Sequence, residues 1–155
     1  MQIELTLNGR PCKAEVTPDT RLLEFVRQQG CASVKCGCET SNCGLCTVWL
    51  DEKPVLSCSV LAVRANGHTV TTLEGLQGQA AEFGAFLADE GAEQCGYCSP
   101  GFIMNVLAME KEMKQPTEEE IQQYLAGNLC RCSGYQGQLR AIHRYLNRKQ
   151  EENHE

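Results

Sequence analysis

The sequence predicts an α+β chain in which a small sheet domain, close to a β-grasp, precedes an all-α domain. Alternating, strand-like residues dominate before the stretch from Gly75 to Gly78, and apolar residues at helical spacing dominate after it. The eleven cysteines of the 155-residue chain form groups on both sides of that stretch. We therefore place the first domain at residues 1–76 and the second at residues 77–155.

The first domain opens with a predicted β-hairpin. Residues 3–7 alternate between apolar and polar, Asn8 and Gly9 mark a turn, and a second alternating run ends at Val16. A helix is expected to start at residues 18–20 and to cover the hairpin. Three further short strands complete the predicted mixed sheet, at residues 47–50, 55–60 and 68–73.

Four helices are predicted in the second domain. The second of them begins at Ser99 and Pro100, as N-cap and N1 residues. The third begins at a capping box of Thr117 and Glu120 and is expected to end at Gly127. Apolar residues at i, i+3, i+4 spacing predict the first and last helices, around residues 83–87 and 139–146.

The strongest chemical signal of the first domain is its cysteine spacing. Cys38, Cys43, Cys46 and Cys58 read C-x4-C-x2-C…C, which is the thiolate spacing of a plant-type [2Fe-2S] site. Three thiolates within nine residues converge only if the backbone curls round the metal. The spacing therefore predicts a cluster-binding loop.

A second cysteine set follows in the helical domain. Cys95 and Cys98 form a C-x2-C pair, and Cys130 and Cys132 form a C-x-C pair. The first pair lies just before a predicted helix start, whose free amides favour an anionic cluster. If the second and third helices are antiparallel, both pairs meet at one end of the bundle. Four more thiolates are enough for a second cluster.

Composition and charge narrow the possible classes of protein. The net charge of -6 and the lack of a basic run argue against a nucleic-acid partner. The N-terminus does not resemble a signal peptide, and no stretch reaches the roughly 18 apolar residues of a membrane span. We expect a cytoplasmic protein with no membrane association. In such a reducing compartment, many cysteines indicate metal binding rather than disulfides.

Two other classes are consistent with parts of the pattern. A structural zinc module also uses C-x2-C pairs, and a dithiol oxidoreductase would use Cys43 with Cys46 or Cys95 with Cys98. The oxidoreductase leaves the eight-cysteine pattern unexplained. No nucleotide fingerprint or nucleophile–base pattern is present, so no catalytic residue is assigned.

The cysteine motifs resemble those of one known family. The runs GC…CGLCTV with SC twelve residues later, EQCGYCSPGFIM, and LAGNLCRCSGY are similar to the small [2Fe-2S] iron-sulfur subunit of the xanthine oxidase family of molybdenum hydroxylases, which includes xanthine dehydrogenase. The similarity extends from Ile3 to about Leu146. It implies a ferredoxin-like domain followed by a four-helix domain, each with one [2Fe-2S] cluster.

The resemblance also implies a function in electron transfer. In such enzymes a large subunit holds molybdopterin and hydroxylates the substrate, and the small subunit passes electrons singly to a medium FAD subunit within a higher-order heteromer. The substrate expected from family frequency is a purine such as xanthine, ahead of an aldehyde or another N-heterocycle. The second cysteine set would hold the cluster nearer the molybdenum, and the first set would hold the cluster nearer the flavin. Gln94 and Cys132 match the positions that approach the pterin.

The cysteine loop departs from the family pattern GCGEGxCGAC. Residues 39–41 read Glu-Thr-Ser, which replaces two glycines, and Cys36 is an additional cysteine. We expect the replacement to alter hydrogen bonds to the sulfurs, which help to set the reduction potential. Cys36 is near enough to be a substitute ligand, but a free thiol is its default interpretation, as it is for Cys12 and Cys31.

Overall fold

The computed structural model describes residues 1–152, and residues 153–155 of the predicted helical domain lie outside the described part. Residues 1–152 form a five-stranded mixed sheet and five α-helices. The strands are β1 (Gln2–Leu7), β2 (Arg10–Glu15), β3 (Thr47–Leu50), β4 (Lys53–Leu56) and β5 (Thr69–Thr71). The helices are α1 (Leu22–Gln28), α2 (Gln77–Asp89), α3 (Ser99–Glu112), α4 (Glu118–Tyr124) and α5 (Gln136–Glu152). None of these helices is long and apolar enough to cross a membrane.

The sheet has the strand order β2-β1-β5-β3-β4. As predicted, β1 and β2 form an antiparallel hairpin, with Ile3 opposite Ala14. Asn8 and Gly9 both have positive φ, at 50° and 77°, as a two-residue type I′ hairpin turn requires. The parallel pairing of β1 with β5 makes the sheet mixed.

The first helix begins later than the sequence predicts. α1 starts at Leu22 rather than at residues 18–20, because Leu22 N donates 2.7 Å to Val60 O and ties the preceding backbone to a neighbouring segment. Arg21 is the N-cap, and its amide and guanidinium both donate to the carboxylate of Glu24. The apolar face of the helix, which includes Phe25, is buried with the sheet core.

The strands predicted at residues 55–60 and 68–73 are shorter in the structure. β4 stops at Leu56, and Ser57–Ser59 form a 3₁₀ turn instead of continuing the strand. The buried Ser57 hydroxyl donates 2.6 Å to Cys46 O, which fixes this turn against the cysteine loop. Because the chain leaves the strand here, Cys58 lies beside that loop.

The helical half follows the predicted order with small shifts at the helix ends. α3 is capped by Cys98, with Ser99 already inside the helix rather than at the N-cap. The capping box of α4 is present, since Glu120 N donates to Thr117 Oγ1 at 3.3 Å and Thr117 N donates to the Glu120 carboxylate at 2.7 Å. Its C-cap is Leu125, not Gly127.

Two clusters of buried apolar side chains lie in the sheet half and in the helical half. Trp49 of β3 belongs to the helical cluster, although its neighbour Val48 belongs to the sheet cluster. The Trp49 indole N–H donates 2.9 Å to Met104 O in α3, and the Lys111 ammonium lies 4.5 Å from the ring centroid. One side chain of the sheet thus packs into the helical core.

Candidate metal centres

The four predicted cysteines of the first half line one small cavity. Cys43 and Cys46 are buried, whereas Cys38 and Cys58 are partly exposed. The loop of residues 36–46 wraps this cavity, and the 3₁₀ turn after β4 closes it with Cys58. The structure therefore brings together the four thiols that the spacing singled out.

Two glycines give the cysteine loop the space it needs. A Cβ at Gly37 would lie 2.6 Å from Leu45 Cδ2 and 3.3 Å from Cys43 Sγ. Gly44 has φ +77°, and a Cβ there would lie 2.4 Å from Gly127 O. A side chain at Gly37 would push Leu45 and Cys43 aside, and a side chain at Gly44 would push the loop away from the helical half.

The second cysteine set lies at the N-terminal end of α3. The Cys95 and Cys132 sulfurs are 3.6 Å apart, and the thiols of Cys98 and Cys130 are in contact. Ser133 supports this set, because its amide and hydroxyl both donate to Cys130 Sγ, at 3.4 Å and 3.2 Å. The C-x2-C and C-x-C segments therefore meet as predicted.

The eight thiols form four contacting pairs. Cys38 pairs with Cys43 and Cys46 with Cys58, as Cys95 pairs with Cys132 and Cys98 with Cys130. A [2Fe-2S] cluster takes four thiolates, two at each iron, whereas structural zinc takes four donors round one ion. The pairs therefore fit [2Fe-2S] clusters.

The protonation of the thiols depends on burial and on the backbone. Burial raises the pKa of Cys46 to about 11 and that of Cys98 to about 12. The amides of Asn42 and Thr40 lower the pKa of the partly exposed Cys38 to about 6. A bound metal ion deprotonates a coordinating thiol outright. Its positive charge would therefore keep the buried sulfurs of Cys46 and Cys98 in the thiolate form.

The two cysteine regions contact each other directly. Leu129 N, next to Cys130, donates 2.9 Å to the carbonyl of Cys43. Asn105 of α3 donates to Asn128 Oδ1 at 2.8 Å and to Thr47 Oγ1 at 3.3 Å. This network holds the middle of α3, the segment before Cys130 and the first cysteine loop together.

The predicted pterin-facing residues lie at an exposed edge of the second set. Gln94 and Cys132 are both exposed, and Gln94 Nε2 donates 3.0 Å to Cys132 O. Tyr97 is also exposed, and its hydroxyl donates 3.0 Å to Cys36 O in the other loop. One face thus presents the second cysteine set to solvent.

The additional cysteine and several polar partners complete the site. Cys36 is exposed, lines the first cavity and donates its thiol proton to Cys38 O at 3.2 Å.

The hydroxyls of Ser41, Ser59 and Ser133 lie beside sulfurs of the two cysteine sets, a role that sequence reasoning did not assign to them. Ser59 and Ser133 each directly follow such a cysteine in the chain, which is the signal that could have indicated them.

Two family models match nearly the whole chain. A 2Fe-2S iron-sulfur cluster binding domain matches residues 5–75, and a [2Fe-2S] binding domain matches residues 72–143. The xanthine dehydrogenase iron-sulfur-binding subunit of Escherichia coli O157:H7 is 46% identical over 138 residues, which cover 86% of this chain and 87% of that protein. The chain belongs to the iron-sulfur subunits of the xanthine oxidase family of molybdenum hydroxylases.

Other members of this family support the assignment in sequence and in structure. The nicotinate dehydrogenase small FeS subunit of Eubacterium barkeri is 42% identical over 86% of this chain and 87% of its own length. The crystal structure of quinoline 2-oxidoreductase from Pseudomonas putida 86 contains a chain with a TM-score of 0.88 and 34% identity, covering 98% of this chain and 96% of that one. The chain is thus a [2Fe-2S] subunit of an oxidoreductase. In this family, molybdopterin and FAD are bound by partner subunits.

Proposed function

We propose that the chain passes electrons singly from a molybdopterin site through two [2Fe-2S] clusters to a flavin subunit. The observation that supports this most directly is the grouping of eight thiols into two four-thiol sets whose loops share the hydrogen bond from Leu129 to Cys43. When bound, each cluster supplies a centre that takes up or releases one electron. The protein holds the sulfurs in place and keeps the two sets next to each other.

The ligand sets are proposed residue by residue. Cys38, Cys43, Cys46 and Cys58 hold the first cluster, and the second is held by Cys95, Cys98, Cys130 and Cys132. The support is the cavity that the first four line and the contacts within the second four. No residue of this chain is assigned to substrate chemistry.

We further propose a β-grasp, ferredoxin-like domain at residues 1–76 and a four-helix domain at residues 77–155. The support is the division of the family matches between residues 5–75 and 72–143, and the two buried apolar clusters. Each domain contains one complete cysteine set.

The exposure of the two sets suggests how the partners are arranged. Gln94 and Cys132 lie on an exposed edge, which is suited to face a large molybdopterin subunit. The first set would then serve the medium FAD subunit, in a higher-order heteromer. We propose a purine such as xanthine as substrate, because the E. coli relative is a xanthine dehydrogenase subunit; the nicotinate and quinoline enzymes make other N-heterocycles the next candidates.

The experiment that tests the function is metal and sulfide analysis of the anaerobically purified chain, with electron paramagnetic resonance after reduction. About four irons, four labile sulfides and two distinct signals per chain are expected for two [2Fe-2S] clusters. Zinc without labile sulfide would contradict the proposal and favour a structural module.

A further inference from the structure

Two serine hydroxyls lie beside the sulfur of Cys58. Ser41 Oγ and Ser59 Oγ are each 3.6 Å from Cys58 Sγ, within the range of a hydrogen bond to sulfur. The two hydroxyls also contact each other, since Ser59 donates to Ser41 Oγ at 2.7 Å. The three side chains therefore form one connected group.

The backbone conformation that places Ser41 in this group is strained. Ser41 has φ 58°, in the left-handed region that a residue with a Cβ rarely adopts. The family loop pattern has glycine at this position, for which the same backbone is unstrained. Such strain is characteristic of functional positions. Here the serine supplies a hydroxyl that glycine lacks.

The direction of the hydrogen bonds follows from the chemistry of a ligand sulfur. A metal-bound thiolate carries no proton, so Cys58 can only accept. Ser59 gives its single hydroxyl proton to Ser41, and Ser41 is then left to donate its own proton to Cys58 Sγ. The chain of donors ends on the sulfur, and each bond polarises the next.

We propose that Ser41 and Ser59 form a hydroxyl relay that raises the reduction potential of the first cluster by donating to Cys58. The proposal rests on the proposed role of Cys58 as a ligand. Reduction adds one electron and therefore negative charge to the cluster and its sulfurs. A hydrogen bond to a sulfur stabilises the more negative form most, so reduction becomes more favourable.

The relay is separate from the support of the second cluster. In the helical half, Ser133 donates to Cys130, a member of the other cysteine set. A change in the relay should therefore move one potential and leave the other in place. That selectivity distinguishes a direct effect on Cys58 from general damage to the protein.

The test is a redox titration, followed by electron paramagnetic resonance, of the full chain with both clusters. Ser41→Ala and Ser59→Ala should each shift the midpoint potential of the first cluster to more negative values, and the double variant should shift it furthest. Ser41→Gly removes the hydroxyl and also relieves the left-handed strain, so it should show the same negative shift in a loop that folds more easily.

Thr17→Ala is the matched control, because Thr17 is an exposed residue of the same half and its hydroxyl bonds to Thr20 Oγ1 at 2.8 Å rather than to a sulfur. It should leave both potentials unchanged. Unchanged potentials in the double variant, with wild-type iron and sulfide content, would overturn the relay while leaving the proposed function intact. Wild-type protein that lacks the first cluster would instead overturn the ligand assignment on which the relay depends.

Discussion

At the scale of single residues, Cys43 lies where the two cysteine regions meet. Its buried thiol contacts Cys38, and its carbonyl accepts the hydrogen bond from Leu129. Cys43→Ser is expected to abolish the resonance signal of the first cluster and to keep that of the second, because the backbone contact survives the substitution. The measurement is electron paramagnetic resonance of the reduced chain. Simultaneous loss of both signals would argue against two independent sets.

Cys132 differs from Cys43 in being exposed and in belonging to the second set. Cys132→Ser should damage the second cluster, because the contact with Cys95 Sγ at 3.6 Å loses one of its sulfurs. If the edge faces the pterin, turnover of the assembled enzyme should fall as well. Normal turnover together with a normal second signal would refute the role assigned to Cys132.

Cys36 provides a control for both cysteine variants. Its exposed thiol lines the first cavity but donates to Cys38 O, a backbone atom. Cys36→Ser should therefore retain both signals and the iron content of the wild type. Loss of the first signal in this variant would identify Cys36 as a ligand.

At the scale of elements, the contact of α3 with the first cysteine loop depends on Gly101. A Cβ at this position would lie 2.4 Å from Gly44 O and 2.9 Å from Leu45 Cα, which are both backbone atoms. Gly101→Ala should lower the free energy of unfolding by about 1–3 kcal/mol, as overpacking does. The check is chemical denaturation. Gly84→Ala in α2, where nothing lies within 4 Å, should instead add about 0.5–1 kcal/mol.

The turn between β5 and α2 contains a pH-dependent contact. Partial burial of Glu74 favours its neutral form, but hydrogen bonds from Ser33 and Thr72 outweigh burial and lower the pKa of the carboxyl. Ser33 donates its amide at 2.9 Å and its hydroxyl at 2.6 Å. A lowered folded-state pKa stabilises the fold above the unfolded value of about 4.3, and this contribution disappears as the pH falls through the folded value.

Glu74→Gln tests this contact by denaturation at several pH values with matched cluster content. The variant should be less stable than the wild type near neutral pH, and the difference should shrink as the pH falls below about 4.3. A difference that is independent of pH would show that the charge of Glu74 contributes nothing.

At the scale of the whole molecule, Trp49 joins the sheet half to the helical half. Its ring is buried in the helical core, and its indole N–H donates to Met104 O. Trp49→Ala should cost about 3–5 kcal/mol, the usual loss for a buried tryptophan. Trp49→Phe keeps most of the ring volume and should cost much less. Equal losses in the two variants would show that the hydrogen bond, rather than packing, dominates.

Periodicity and turn residues predict most of the elements, but they place several ends wrongly. The hairpin turn at Asn8 and Gly9 and the capping box at Thr117 are local, and both are present in the structure. The start of α1 and the end of β4 are decided by distant partners, since Leu22 N bonds to Val60 O and Ser57 bonds to Cys46 O. Local patterns carry no information about such partners.

The sequence alone determined the chemistry of this protein. Thiolate spacing is a local property of the chain, so the two cysteine sets and the family could be identified from the residues. Only the tertiary structure decided how the sets pair their sulfurs, how Leu129 joins the loops and how Ser41 and Ser59 meet at Cys58. These contacts join segments that are far apart in the chain, and their geometry depends on the packing of β4 and α3 around the cysteine loop.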